Sequence, residues 1–359
     1  MVAEEPRDAT TAAGLPARVL AAWDIAGDSV RPLGAGLINR TFLAATTRGE
    51  PRVLQQVNPI FPPEVNSDIE QVTAHLAERG LETPRIVTTL AGARWLEAED
   101  GGGTWRALTY VAGRSMNALT SPAQAHAAGE LLGRFHRALD DYDHAFASRR
   151  PPIHDLGRHL AALEAALGAH GGHRDYDQVA PLAEAIFAAA RRLDPLAATP
   201  PRVVHGDPKI NNILFRVHAD EALCLVDLDT LGRMDLPLEL GDALRSWCNP
   251  AGEDRRQGIF SVALFRAAVS GYARAAAGWV GADEVAGIVA ATASIQVELA
   301  ARFCADALNE RYFGWDPAQF PTRGEHNRAR AEGQLAIHRS LLAERPALEK
   351  AVSAAFRAA

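Results

Sequence analysis

The sequence predicts an α+β fold with two lobes, a β-rich N-terminal lobe over residues 1–112 and a mainly helical C-terminal lobe over residues 113–359. Short runs of apolar and Thr residues dominate the first part, whereas the second part consists largely of Ala- and Leu-rich segments with helical spacing. The chain has 359 residues, more than the ~100–200 residues of a typical domain, which favours two lobes.

The N-terminal lobe is predicted to contain strands over residues 41–47, 52–57 and 105–111, where apolar, Thr and aromatic residues are concentrated. One helix is predicted between the second and third of these strands. Its start is placed at Ser67–Glu70, which has the pattern of a capping box and is followed by apolar residues at helical spacing.

The C-terminal lobe is predicted to begin with a helix at Ser121 and Pro122, because Ser is a preferred N-cap and Pro is tolerated in the first turn. Further helices are predicted over residues 155–168, 178–193, 256–280 and 283–309. Residues 202–229 interrupt this pattern with short apolar runs separated by loops, which predicts a small β insertion.

Composition and charge exclude several classes of protein. With 48% hydrophobic residues the chain is predicted to be globular, and no apolar run reaches the ~18–20 residues of a membrane span. The net charge of −7 disfavours nucleic-acid binding, and the acidic segment Met1–Thr10 lacks the pattern of a secretory signal. Cys224, Cys248 and Cys304 are widely separated, as is typical of reduced thiols. We therefore expect a cytoplasmic protein with neither nucleic-acid nor membrane partners.

The most specific chemical pattern is His205–Asp207, followed by Asn212 and, at the end of an apolar run, Asp227. In this spacing Asp207 can orient and deprotonate a hydroxyl group, while Asn212 and Asp227 offer oxygens to Mg²⁺. Lys209 adds a mobile positive charge that can reach a phosphate. Asp, Asn and Gly also occur in structural turns, but the full spacing, with each part following an apolar run, favours phosphoryl-transfer chemistry.

A second pattern, Gly34-Ala-Gly36-Leu-Ile-Asn39, predicts a glycine-rich hairpin that folds over nucleotide phosphates. A dinucleotide-binding fingerprint would open into a helix, whereas residues 41–43 continue as a strand. A NAD-dependent oxidoreductase is therefore disfavoured. Taken alone, the pattern also fits an ordinary glycine-containing β-turn.

Together these motifs resemble the aminoglycoside phosphotransferase/choline kinase-like superfamily over nearly the whole chain. The resemblance implies a protein-kinase-like bilobal fold that holds ATP and Mg²⁺ between its lobes. It assigns the phosphate loop to Gly34, Gly36 and Asn39, the adenine-binding hinge to Leu108, Tyr110 and Val111, the catalytic roles to Asp207 and Lys209, and the metal to Asn212 and Asp227. Too few residues separate Asp227 from Asp242 for a peptide-docking segment, which favours a small-molecule acceptor.

Within the superfamily the chain most resembles the N-acetylhexosamine 1-kinases. The similar stretches are Gly36–Phe42, Val53–Asn58, Asp207–Phe215, Val226–Thr230, Gly241–Arg245, Arg302–Asp306, Tyr312-Phe313, His326-Asn327 and Arg330. The last four lie outside the kinase core and carry the subfamily resemblance best. It implies substrate-binding roles for Asp229, Arg245, Arg302, Asp306 and Tyr312. For each of these, a surface ion pair or a polar position on a helix face is an equal alternative.

The lysine that usually binds the α- and β-phosphates from the third strand is absent, and Leu54-Gln55-Gln56 stands in its place. The sugar kinases also tend to have Gln here, so the resemblance assigns Gln55 to nucleotide binding. Arg52 and Lys209 are then the candidate cations for these phosphates. Glu70 is expected either to pair with the third strand or to serve only the helix start.

The predicted activity is ATP- and Mg²⁺-dependent phosphorylation of the anomeric hydroxyl of an N-acetylhexosamine or related hexose, which gives a sugar 1-phosphate in carbohydrate metabolism. One alternative is an aminoglycoside-, choline- or homoserine-type acceptor. The other is a nucleotide-binding pseudokinase, which the intact Asp207, Asn212 and Asp227 disfavour. Asp242 is expected to hold the catalytic loop through backbone hydrogen bonds, and the protein is expected to be a monomer or a homodimer.

Overall fold

A computed structural model describes residues 15–34, 38–99, 102–148 and 151–359. The chain divides into two compact units, one formed by Met1–Ala112 with Asp143–Arg150 and the other by Gly113–Tyr142 with Pro151–Ala359. The sequence-based division used a single boundary after residue 112. It therefore did not separate residues 143–150, which belong with the first unit.

The first unit is built on an antiparallel sheet. Its strands are β1 (Arg31–Pro32), β2 (Arg40–Ala45), β3 (Pro51–Val57), β4 (Ile86–Val87), β5 (Leu96–Glu97) and β6 (Thr104–Thr109). Within the described residues the strand order is β1-β2-β3-β6-β4, and β5 also pairs with β6. Helices α1 (Ala17–Ala22) and α2 (Val65–Glu78) pack with this sheet. The three strands predicted in this region are confirmed, with bounds that differ by at most two residues.

Apolar side chains of α1 and of the sheet form a common core in this unit. Val19, Phe42, Leu54 and Trp105 are almost completely buried there. They come from α1, β2, β3 and β6, so the central strands are held to the helix by burial of apolar surface.

The predicted start of α2 was wrong. The helix begins at Val65 with Glu64 as its N-cap, so Ser67 lies inside the first turn. Glu70 forms an ion pair with Arg94, which is not a residue of β3, and no side-chain hydrogen bond caps the start of the helix. The N–H groups of Val65 and Asn66 donate to the carbonyl oxygens of Pro62 and Pro63, so this turn begins the helix before the predicted capping box.

The second unit is mainly helical. Its helices are α3 (Pro122–Ala138), α4 (Leu156–Ala169), α5 (Tyr176–Ala190), α6 (Leu236–Trp247), α7 (Val262–Ala275), α8 (Ala282–Asn309) and α9 (Arg323–Ala358). The strands are β7 (Pro201–Val204), which pairs with β10 (Gly232–Asp235), and β8 (Ile213–Phe215), which pairs with β9 (Ala222–Leu225). The predicted N-cap of α3 is confirmed, because the Ser121 side chain accepts the N–H of Gln124.

Helix α8 lies at the centre of the second unit and packs against α4, α6 and α9. It is long and apolar enough to cross a membrane by length and composition, but most of its apolar window is buried inside the protein, as in the core helix of a globular protein. The predicted helix over residues 256–280 is shorter than expected, since α7 begins only at Val262. Helices α6 and α9 were not predicted.

Helices α3 and α7 approach each other closely through glycine. A Cβ on Gly129 would lie 2.0 Å from the carbonyl oxygen of Ala268, and a Cβ on Gly271 would lie 2.0 Å from that of His126. These distances are far below any van der Waals contact, so the two helices can pack this closely only where the side chain is absent. Neither glycine had been assigned a role from the sequence.

We expect Gly129→Ala to lower the free energy of unfolding by about 1–3 kcal/mol, because the added methyl group forces the two helix backbones apart. The matched control is Gly168→Ala in α4, where a Cβ would meet nothing within 4 Å. That variant is expected to gain about 0.5–1 kcal/mol, because Ala favours a helix over Gly. Chemical denaturation of both variants measures the difference, and effects of the same sign would contradict this account.

Candidate active site

The predicted catalytic residues lie in the loop that follows β7. Val204 at the end of β7 pairs with Gly232 of β10. Gly206 has φ of 86°, and a Cβ there would lie 2.3 Å from the carbonyl oxygen of Thr230, so the turn requires glycine. After this turn the loop leaves the core: His205 is fully buried, whereas the Asp207 side chain keeps contact with solvent.

Glu239 of α6 holds this loop. Its fully buried carboxylate accepts the N–H of His205 at Oε1 and the N–H of Gly206 at Oε2, both at 2.9 Å. The expectation that Asp242 holds the catalytic loop was wrong, because the Asp242 carboxylate forms an ion pair with Arg245 at 2.9 Å. Both acidic residues lie on α6, and only the one in the first turn reaches the loop.

Two further residues at the other end of α6 fasten the loop. The Ser246 hydroxyl accepts the N–H of Ile210 at 3.0 Å, and Trp247 Nε1 donates to the carbonyl oxygen of Pro208 at 2.9 Å. One helix therefore anchors the loop on both sides of Asp207.

His205 connects the two predicted acidic positions. Its Nδ1 accepts the N–H of Asp207 at 3.3 Å, so Nε2 carries the proton and donates to the carbonyl oxygen of Val226 at 2.9 Å. Val226 directly precedes Asp227. The imidazole thus orients the backbone of Asp207 and that of Val226 together.

Asp207, Lys209 and Asn212 meet at one carboxylate oxygen. Asp207 Oδ2 accepts from Lys209 Nζ at 2.6 Å and from Asn212 Nδ2 at 3.2 Å. Although its surroundings disfavour the charged form, the carboxylates of Asp207 and Asp227 hold the pKa of Lys209 above its usual range. Asp207 Oδ1 has no hydrogen-bond partner among the described residues, and this oxygen is therefore open to a hydroxyl group of a substrate.

Asp227 has a left-handed backbone, with φ of 64° and ψ of 55°, which a non-glycine residue adopts only with some strain. Its side chain reaches solvent. Protein atoms around it nevertheless remove part of its hydration, and this desolvation together with the charges of Asp229 and Asp207 raises the pKa of Asp227, against the opposing effect of Lys209. A bound cation would relieve this crowding of negative charge.

These side chains fit Mg²⁺. Asn212 uses Nδ2 toward Asp207, so its amide oxygen points elsewhere and, with the Asp227 carboxylate, offers the hard oxygen ligands that Mg²⁺ prefers. Within the described residues no group of three or more His, Cys, Asp or Glu side chains is placed to hold a metal ion. Mg²⁺ in phosphate sites retains water and takes only one or two protein ligands, so a closed cage is not needed.

The predicted phosphate-loop residues lie in the first unit. Gly34 has φ of 72°, and the buried Asn39 accepts the N–H of Asn58 at its Oδ1 at 2.9 Å, which ties the start of β2 to the end of β3. Gly36 lies outside the described residues. The predicted hinge residues lie at the end of β6 or just beyond it, with buried Leu108 and Val111 and half-buried Tyr110.

Gln55 has a partner that the sequence analysis missed. Arg106 on β6 stands opposite Gln55 in the β3–β6 register and donates from Nε and Nη2 to Gln55 Oε1, at 2.9 and 2.7 Å. Its Nη1 also donates to Asn66 of α2 at 3.3 Å. The sequence offered one signal, because Arg106 is the one charged residue of β6 and lies between Trp105 and Ala107. Arg52, one of the two predicted cations, forms an ion pair with Glu50.

The phosphotransferase enzyme family, known as APH, matches residues 29–279, well over half of the chain. The chain belongs to the APH phosphotransferase family. The matched range extends from the start of the sheet to beyond α7 and includes Asp207, Asn212 and Asp227.

Solved structures show the same fold as this APH phosphotransferase. A microcompartment-associated aminopropanol kinase has a TM-score of 0.63 at 13% identity, covering 91% of this chain and 96% of its own. Amicoumacin kinase in complex with AMP-PNP, Ca²⁺ and Ami has a TM-score of 0.60 at 15% identity, covering 88% and 91%. A choline/ethanolamine kinase family protein from Mesorhizobium loti has a TM-score of 0.53 at 20% identity, covering 91% and 92%. The predicted kinase-like α+β fold is confirmed.

Two predicted substrate residues of this APH phosphotransferase lie close to its catalytic loop. Asp229 follows Asp227 in a 3-10 turn and is almost fully buried. Arg245 is buried between Asp242 and Glu253, and although burial opposes its charge, these carboxylates and that of Asp207 raise the pKa of Arg245.

The other predicted substrate residues lie at the end of α8 and in the loop after it. The Asp306 carboxylate accepts the backbone N–H groups of Arg311, Tyr312 and Phe313, at 3.1, 2.9 and 2.8 Å. Asn327 also donates to it at 2.9 Å. Asp306 therefore shapes this loop and does not offer its oxygens to a ligand. Tyr312 is exposed, and the guanidinium of Arg302 lies 5.6 Å from the centre of the Phe313 ring.

His154 is a buried histidine that the sequence analysis did not single out. His154 Nδ1 is 2.9 Å from Glu298 Oε1. Burial disfavours its charge, but the Glu298 hydrogen bond and the charges of Asp242 and Glu298 raise the pKa of His154, while Arg302 lowers it. The charges of Asp242 and Arg302 therefore both influence this imidazole.

The raised pKa of His154 predicts how stability depends on pH. Its contribution is complete below the unfolded value of about 6.5 and is lost as pH rises through the higher folded-state pKa. Glu298→Gln removes the charge that raises this pKa, so the variant should lose more unfolding free energy at acidic than at alkaline pH. Urea denaturation across this range measures the difference, and a loss that does not change with pH would contradict the prediction.

Proposed function

We propose that this phosphotransferase uses ATP and Mg²⁺ to phosphorylate the anomeric hydroxyl of an N-acetylhexosamine or a related hexose in the cytoplasm. The observation that carries the transfer chemistry is the open Oδ1 of Asp207, on a carboxylate whose other oxygen accepts from Lys209 and Asn212. The complex of amicoumacin kinase with AMP-PNP and Ca²⁺ supports a nucleotide and a divalent cation as partners. Buried cysteines that no disulfide joins are consistent with a cytoplasmic enzyme.

In this proposal Asp207 Oδ1 accepts the proton of the acceptor hydroxyl as its oxygen bonds to the γ-phosphorus of ATP. The bond from that phosphorus to the bridging oxygen breaks, and ADP leaves with the electron pair. Mg²⁺, held by Asn212 and Asp227, would supply positive charge to the phosphates. Lys209 adds a further positive charge while it holds Asp207 Oδ2. An anomeric hydroxyl is more acidic than an ordinary alcohol, so a carboxylate suffices as the base.

The choice of acceptor rests on Arg302 and on the stretches similar to the N-acetylhexosamine 1-kinases. Arg302 is half-buried and donates no hydrogen bond to another described residue. Its guanidinium therefore has N–H donors available for the hydroxyl or amide oxygens of a sugar. The same charge would repel a cationic acceptor such as an aminoglycoside or choline, which Asp207, Asp227 and Asp229 would otherwise attract.

The test is ATP consumption with a panel of N-acetylhexosamines, hexoses, aminoglycosides and choline, with the product identified by phosphorus NMR. We expect turnover with a sugar and a phosphate on its anomeric oxygen. Turnover with an aminoglycoside or choline but with no sugar would refute the proposed acceptor and leave the transfer chemistry intact.

Arg302→Gln tests the acceptor contact within the same assay. It is expected to raise the KM for the sugar roughly 10- to 100-fold, the usual effect of losing a hydrogen bond from a charged group, while the KM for ATP stays unchanged. The matched control is Arg311→Gln, an exposed arginine in the following loop, which should change neither value. Equal effects of the two variants would contradict the role of Arg302.

A further inference from the structure

The contact between Arg106 and Gln55 has a geometry that suits a role in nucleotide binding. Arg106 is 1% exposed, so its guanidinium cannot itself reach a ligand, whereas Gln55 is only half-buried. Two N–H groups of Arg106 donate to the same oxygen of Gln55, and a third donates to Asn66 in the first turn of α2. The guanidinium thus joins β3, β6 and α2 through Gln55, the residue that by resemblance stands in place of the strand lysine.

This contact fixes the orientation of the Gln55 amide. With Oε1 occupied by Arg106, Nε2 must point the other way, and one of its N–H groups donates to Thr41 Oγ1 at 3.1 Å. The second N–H has no partner among the described residues. Thr41 lies near the start of β2, two residues after Asn39, so the open N–H is at the end of the sheet from which the Gly34–Asn39 segment leaves.

The charge of Arg106 also changes the strength of that donor. A cation that donates to the oxygen of an amide draws electron density from its nitrogen, and the N–H groups then become better donors. A neutral amide alone is a weak substitute for a lysine at a phosphate. An amide polarised by a buried guanidinium is a stronger hydrogen-bond donor to phosphate and so comes closer to a lysine in this role.

We propose that Arg106, acting through Gln55, takes the place of the missing strand lysine in positioning the α- and β-phosphates of ATP. Arg106 is a positioning residue, and the Gln55 amide is the group that touches the phosphate. This inference rests on the ATP part of the proposed function and not on the identity of the acceptor. It replaces the two cations expected from the sequence for this role, Arg52 and Lys209, which pair with Glu50 and Asp207.

The test is binding of MgATP to the full chain by isothermal titration calorimetry, which needs no acceptor. Arg106→Met is expected to weaken binding roughly 10- to 100-fold, the effect of losing a charge-assisted contact. The matched control, Arg94→Met, removes an exposed arginine of the same unit and should leave binding unchanged. Wild-type affinity in Arg106→Met would overturn the inference.

A second substitution separates this role from a merely structural one. Adding Gln55→Lys to Arg106→Met puts a cation on β3 directly and should restore most of the lost affinity. Gln55→Lys alone places an ammonium against the guanidinium and should weaken binding. Failure of the double variant to recover affinity, with both variants folded by circular dichroism, would overturn the inference.

Gln55→Glu covers the case in which Arg106→Met does not fold. The carboxylate keeps the contact with Arg106 but cancels its charge, so MgATP binding should again weaken roughly 10- to 100-fold. Unchanged binding would overturn the inference. A wild-type chain that binds no MgATP would refute both proposals, whereas MgATP binding without sugar turnover would refute only the acceptor.

Discussion

Replacing Asp207 by Asn is expected to lower kcat roughly 10²- to 10⁴-fold, the range attributed to a general base. The amide cannot accept the proton of the acceptor hydroxyl, while its size and its hydrogen bonds to Lys209 and Asn212 can be retained. Because neither the Gln55 amide nor the Asp227 carboxylate is altered, the affinity for MgATP should change little. A defect confined to kcat is therefore the expected signature.

Steady-state kinetics and calorimetry together measure this split. The control is Glu221→Gln, which makes the same carboxylate-to-amide change at an exposed pair with Arg216 on the β8–β9 hairpin. It should leave kcat at the wild-type value. Turnover near wild type in Asp207→Asn would show that another group takes the proton and would remove the basis of the proposed mechanism.

Replacing Glu239 by Ala is expected to lower the free energy of unfolding by about 2–6 kcal/mol. The estimate counts two buried backbone N–H groups, those of His205 and Gly206, each left without an acceptor at about 1–3 kcal/mol. Any inward movement of water would reduce the loss but would also loosen the loop. Turnover should therefore fall as well, because Asp207 follows these two residues directly.

Glu239→Gln refines this prediction. The amide retains one acceptor oxygen but turns an N–H donor toward the other backbone N–H, so it should lose less stability than Glu239→Ala and still be less stable than wild type. Urea denaturation of both variants, with Glu221→Gln as the reference, gives the order. Wild-type stability in Glu239→Ala would mean that the loop does not depend on α6.

The fold was predictable where the local pattern and the tertiary packing agree. The strands around Phe42 and Leu54 and the helix capped by Ser121 were found because alternation, apolar spacing and capping point to the same element. The start of α2 was missed because a capping-box pattern at Ser67 competed with the turn at Pro62-Pro63 that begins the helix earlier. Helix α9 is largely polar by sequence, and its buried face becomes evident only against α8.

The residues of the candidate site could be predicted only where they lie close together in the sequence. Asp207, Lys209 and Asn212 are close in sequence, and the structure brings their side chains to one oxygen. Glu239 and Arg106 act across long sequence separations, from α6 to the loop and from β6 to β3. No local rule distinguishes Glu239 from Asp242, since both are acidic residues three positions apart on the same helix.

The attachment of the catalytic loop to α6 has a consequence for its dynamics. The amide hydrogens of His205 and Gly206 are directed at a carboxylate with no contact to solvent, so they can exchange with deuterium only when α6 separates from the loop. Ser246 and Trp247, at the far end of the same helix, also hydrogen-bond to the loop. The loop therefore cannot separate from the helix one residue at a time. Deuterium uptake at these two amides should therefore be as slow as that of the central helix α8, although the neighbouring carboxylate of Asp207 remains open to solvent.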